Sequence, residues 1–151
     1  MTPVTGNLPA RDEGSFRDPS GYLFFQGNEV IRTINPSGAA QFDAVSASGL
    51  LEDLAKQGLL IPTVLEDASP ERLKQFAGPR GEVPVRLMRH PRVPFISYPY
   101  EWTFGQLRDA ALAHLDLQVA ALDKGFVLSD STPYNMQFHE GRLTHIDVLS
   151  L

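Results

Sequence analysis

The feature that most constrains this chain is a change of period at Pro99. Before it, short aromatic and β-branched runs alternate with turn residues; after Trp102, apolar residues recur every three or four positions as far as Leu122. The first pattern belongs to antiparallel strands and the second to one long amphipathic helix. An α+β chain is therefore expected, with a strand-rich first part and a second part built on that helix.

Residues 1–14 carry Pro3, Gly6, Pro9 and Gly14 among polar residues and read as a flexible tail. Residues 15–98 read as a strand-rich lobe. Its opening runs, at 15–17, 22–25 and 30–34, are separated by Asp18-Pro19-Ser20-Gly21 and Gly27-Asn28, which predicts a three-stranded meander. Pro36 starts a helix that ends at Gly49, and residues 50–57 form another, stopped by Gly58. Residues 59–65 form an edge strand because of Pro62, and Ser69-Pro70 caps a short helix. Residues 83–88 and 93–98 read as two strands joined by His90-Pro91-Arg92. Tyr98-Pro99-Tyr100-Glu101-Trp102 reads as a hinge, its aromatic rings serving lobe packing or a nucleotide-base pocket.

Residues 99–151 then hold the hinge, the helix and a loop with a hairpin. Thr103 caps the helix, which runs to about Lys124 with Phe104, Leu107, Ala111, Leu115, Val119 and Leu122 as its core stripe. Leu112 and Leu117 widen that stripe, so the helix is expected to be covered on more than one side. Residues 126–128 read as a short buried strand. Glu140-Gly141 turns a hairpin between residues 136–138 and 143–146.

Composition removes several function classes. The 151 residues include no cysteine, which excludes disulfides, thiolate metal sites and a cysteine nucleophile. A net charge of -5 gives no nucleic-acid footprint, and Pro84 and Pro91 interrupt the basic run Arg80, Arg86, Arg89, Arg92. The apolar runs are too short for a membrane span and the N-terminus has no secretion signal, so a cytoplasmic protein is expected.

The chemistry-bearing stretch is Asp130 to Asp147. Asp130 and Asn135 sit in one loop, and the hairpin returns Asp147 beside Asn135. A carboxylate and a carboxamide suit Mg²⁺, which keeps few protein ligands and leaves room for phosphate oxygens. Asp130 is placed to orient or deprotonate a hydroxyl. Two histidines on the hairpin, His139 and His145, lack a third ligand. His114 and Asp116 fall on different faces of the helix. Ser129, Ser131 and Thr132 have no hydrolase base other than His145.

Helix, Asp-x4-Asn loop, hairpin and Asp together resemble the protein-kinase-like superfamily, in its aminoglycoside and choline phosphotransferase branch. The resemblance implies a kinase-like fold, here a strand-rich N-lobe and the start of a helical C-lobe. It further implies Asp130 as catalytic base, Asn135 and Asp147 as metal ligands, and Mg²⁺ with ATP as cofactors. Arg32 stands on the third strand where the family has a nucleotide-binding lysine, and with Glu101 at the hinge it is a candidate nucleotide contact. Asp43, Glu52 and Asp53 are the carboxylates open to pair with Arg32. The motif departs from the family in carrying Leu128-Ser129 ahead of Asp130 and one glycine in the first turn.

Residues 15–21, 94–102 and 128–149 also resemble the N-terminal region of bacterial class I S-adenosylmethionine-dependent methyltransferases, some of them related to nodulation proteins. That implies a truncated piece, with S-adenosylmethionine bound in a missing C-terminal domain. Three readings follow: a kinase-like accessory module of such a protein, an active Mg-ATP-dependent small-molecule phosphotransferase, and a non-catalytic interaction scaffold.

Overall fold

Glu29–Ile34 carries Ile31 and Thr33 between long side chains, the β-branched pattern of a strand buried at its centre. In the computed structural model, which describes residues 9–151, this segment is the third strand of an antiparallel sheet. The chain forms two units: residues up to Ala40 with Thr63–Arg92, and Gln41–Pro62 with Val93–Leu151.

The first unit holds β1 (Ala10–Arg11), β2 (Leu23–Gln26), β3 (Glu29–Ile34), the start of α1 (Pro36–Ala47), β4 (Val64–Glu66), α3 (Pro70–Lys74) and β5 (Arg86–Pro91). Its strand order is β1-β2-β3-β5-β4. The Gly27-Asn28 turn sets the β2–β3 register, with Leu23 opposite Arg32 and Phe24 opposite Ile31. Tyr22, Phe24, Ile31, Phe76 and Leu87 form the core, each burial contributing roughly 1.5–3 kcal/mol. Phe24 and Phe76 meet edge to face at 5.0 Å, the arrangement their ring quadrupoles favour.

Two segments of this unit differ from the sequence expectation. Glu13–Arg17 is a 3-10 turn capped by the Asp12 side chain, where a strand was expected, and the strand paired to β2 is Ala10–Arg11, within the expected tail. His90 and Pro91 lie inside β5 and do not form a turn. Pro91 is tolerated there because it pairs with Glu29 beyond the end of β4, which reaches only Arg89. The remaining tail residues, 1–8, lie outside the described residues.

The second unit holds α2 (Leu50–Gln57), α4 (Phe104–Asp123) and the hairpin β6 (Met136–His139) and β7 (Arg142–His145). Gly58, at φ 73°, donates back to Ala55 and Leu54 and ends α2 as expected. The Thr103–Gln106 capping box starts α4. Leu54, Leu117, Met136 and Leu151 are buried in this unit. Lys124 pairs with Asp53 at 3.0 Å, tying the end of α4 to α2.

Here too the structure corrects the expectation. Residues 93–98 and 126–128 form no ladder, and Val127 is exposed. The face of α4 that is buried carries Ala110, Leu117 and Ala121; Phe104, Leu107, Leu115, Val119 and Leu122 are exposed. No helix among the described residues is long and apolar enough to cross a membrane.

Candidate functional site

The loop after α4 is anchored before it carries chemistry. Gly125 at φ 84° turns the chain, and Phe126 N–H donates to Ala121 across the helix end. Ser129 N–H then donates to the Ser150 carbonyl at 2.7 Å, fixing the loop to the C-terminal turn. Asp130 follows in the left-handed region, φ 48°, and its carboxylate is on an exposed residue.

Asn135 closes the loop. Its Nδ2 donates to the Asp130 carbonyl at 3.0 Å, so the amide oxygen is turned away from that bond. Ile146 N–H donates to the Asn135 carbonyl at 2.8 Å, which places Asp147 next in the chain to the residue bonded to Asn135. Asp147 is half-buried, and one of its carboxylate oxygens is inaccessible. Its carbonyl accepts from Ser150 Oγ at 2.8 Å and lies 2.9 Å from His145 Nε2. His145, fully buried, is thus a brace for the Asp147 turn. In the hairpin register His139 faces Arg142 and His145 faces Met136, so the two histidines do not oppose each other.

Asp130 and Asn135 are accordingly joined by one hydrogen bond within the second unit, and a second joins Asn135 to Ile146, the chain neighbour of Asp147. Among the described residues no three His, Cys, Asp or Glu side chains form a metal-binding group. A cation here would take oxygen from Asn135 and Asp147 and complete its shell with water or phosphate, a donor set that fits Mg²⁺.

The other two candidates have local partners. Arg32, in the first unit, is nearly buried and its guanidinium meets Asp18 at 2.8 Å. Asp18 belongs to the turn ahead of β2 and lay outside the carboxylates weighed from sequence. Asp53, one of those weighed, is engaged by Lys124 and Lys56, and the hydrogen bond from Lys124 holds its carboxyl below the ordinary range. Glu101 accepts the Tyr98 N–H at 2.8 Å within a capping box.

The hinge aromatics divide. Trp102 is packed on Phe138 at 5.5 Å and donates to Ser97 Oγ. Tyr98, stacked on Tyr100 at 5.5 Å, and Tyr134, tilted against Tyr98, are all exposed. Desolvation, then the Glu101 charge, pushes the Tyr100 phenol up.

One polar pair was not read from sequence. His114 Nδ1 lies 3.2 Å from Ser131 Oγ, beside a cavity of about 330 Å³ lined also by Leu107, Ala111 and Met136. Helical periodicity separates His114 from Asp116 but says nothing of a loop residue seventeen positions on.

Fold and site together define an α+β chain with an antiparallel sheet and a separate hairpin flanked by Asp130 and Asn135 on one side and Asp147 on the other. The chain is 43% identical over 143 residues, 95% of its length, to the nodulation protein NoeA of Rhizobium meliloti (strain 1021). Those residues make up 28% of that protein, so the chain spans little more than a quarter of the relative's length. No protein-family profile matches the chain.

Proposed function

We propose that this segment is a kinase-like accessory module of a longer nodulation-type polypeptide. In this reading Asn135 and Asp147 hold a magnesium-bound nucleotide phosphate, and the segment performs no transfer chemistry of its own. The observation that carries it is the pair of bonds at Asn135: Nδ2 to the Asp130 carbonyl at 3.0 Å, and its carbonyl to Ile146 N–H at 2.8 Å. Together they place Asn135, one residue ahead of the hairpin's first strand, and Asp147, two residues beyond its second, at the same end of the hairpin. Binding without turnover is favoured by Arg32, whose side chain is 8% exposed and whose guanidinium pairs with Asp18 at 2.8 Å, and by the single glycine of the 18–21 turn. When bound, the metal would neutralise phosphate charge, while Asn135 and Asp147 orient the phosphate and Asp130 lies beside it. Methyl transfer from S-adenosylmethionine is in this reading the work of polypeptide outside the segment.

Calorimetric titration with Mg-ATP tests the proposal. Saturable binding is expected in the presence of Mg²⁺, weakened by Asn135→Ala and abolished by Asp147→Asn, with no ADP above the buffer control. Absence of binding by the folded chain would sink it. ADP formation that is lost in Asp130→Asn would replace it by the active phosphotransferase.

A further inference from the structure

The helix α4 has two apolar faces, and the described chain covers one. Ala110, Leu117 and Ala121 are buried. Phe104 at 84% exposure, Leu115 at 58%, Val119 at 58% and Leu122 at 56% lie on another stripe. At about 1.5 Å per residue the helix is about 30 Å long, and contiguous exposed apolar surface of this kind marks an interaction site. Leu107, Ala111 and Leu115 of the same stripe also wall the cavity of about 330 Å³ beside Ser131 and Met136, a recess into which an anchoring side chain fits.

The edge of the stripe has a sign. Asp116 and Asp123, two turns apart, follow it, while Arg108, the one cation within α4, is held by Asp109 at 2.7 Å. A second copy packed antiparallel would set this acidic edge against itself, and an anionic bilayer would be repelled by it. Complementarity calls for an amphipathic helix with an apolar ridge and lysine or arginine along one side. The length of the relative supplies a source, since the match takes up 95% of this chain and 28% of that protein.

We infer that the exposed face of α4 is the docking surface for an amphipathic, basic-edged helix contributed by polypeptide lying outside this segment in the longer protein. The inference rests on the reading of this segment as part of a longer polypeptide and is independent of nucleotide binding at Asn135 and Asp147.

The test is carbene footprinting at pH 8 of the 151-residue chain and of a chimera in which this chain replaces the matched region of the Rhizobium meliloti protein. Labelling of Leu115, Val119 and Leu122 is expected to fall by roughly ten-fold in the chimera, the protection a stably docked helix gives. Carbodiimide is expected to couple Asp116 or Asp123 to a lysine outside the segment. Leu115→Asp is expected to lower the Tm of the chimera and leave that of the isolated chain nearly unchanged. Equal labelling in both proteins overturns the inference. So does shielding of the isolated chain that grows with its concentration, which means a second copy, or that needs anionic vesicles, which means a bilayer. The aligned helix of the full-length relative, footprinted in the same way, decides the matter where the chimera does not fold.

Discussion

Gly78 is a position where a single methyl group has no room. A Cβ built there would lie 2.5 Å from the Tyr22 ring and 2.6 Å from the Glu82 carboxyl carbon. Tyr22 is 2% exposed and cannot move aside without opening the core of the first unit. Gly78→Ala should therefore cost about 1–3 kcal/mol, as overpacking does, read as a lower urea midpoint at unchanged slope. Two of these residues, Tyr22 and Glu82, set a pH dependence. Tyr22 Oη donates to Glu82 Oε1, which holds the Glu82 carboxyl below its ordinary value and pushes the Tyr22 phenol up. The depressed carboxyl contributes stability that is present above its unfolded pKa and lost as pH falls through the folded one. The raised phenol contributes stability that is present below its unfolded value of about 10 and lost as pH rises through the folded one. Tyr22→Phe should then separate most from the parent chain in urea melts between roughly pH 6 and 9. The difference should shrink toward both extremes; a constant difference across the range would remove this bond as its cause.

At the scale of the element, α4 has two apolar faces that behave differently. Leu117 is fully buried and Leu115 is 58% exposed, two positions apart on one helix. Leu117→Ala should cost about 2–5 kcal/mol, and Leu115→Ala within about 0.5 kcal/mol of nothing, in chemical melts of the 151-residue chain. Similar losses at both would mean that the outer face is already covered. This helix also shows what a sequence can carry. Its limits were legible because a threonine cap and Gly125 act locally. The Glu140-Gly141 turn, the stop at Gly58 and the start at Ser69-Pro70 were legible for the same reason. Which apolar stripe the chain buries was not, because Ala110 and Ala121 owe their burial to small size and close approach. Residues 93–98 alternate as a strand does and still find no ladder partner, since pairing is decided elsewhere in the chain. At the site, the Asn135–Asp147 proximity was readable from the hairpin, whereas the Asp130 carbonyl as Asn135's acceptor, the Asp18 partner of Arg32 and the His114–Ser131 pair depend on tertiary placement.

For the whole molecule, charge and exposed apolar surface act against each other. The chain carries 18 acidic and 13 basic side chains, a formal charge of -5 at pH 7 and an isoelectric point near 5.3. Apart from α4, it also exposes Phe95, Tyr98, Tyr100 and Tyr134. At pH 8 the net negative charge keeps molecules apart at low salt. Near pH 5.3 that repulsion vanishes while the apolar surfaces are unchanged, so light scattering from the 151-residue chain should pass through a maximum there. Raising the salt at pH 8 shortens the screening length to about 10 Å at 0.1 M. Association should then increase at pH 8 and change little at the isoelectric point. Leu115→Asp adds a charge inside the exposed apolar stripe of α4, so it should lower the maximum and move it to lower pH, whereas Leu65→Asp, on an exposed edge strand of the first unit, should shift the pH without lowering the maximum as far. Scattering that is flat between pH 5 and 8 at high protein concentration would show that net charge does not govern the association of this chain.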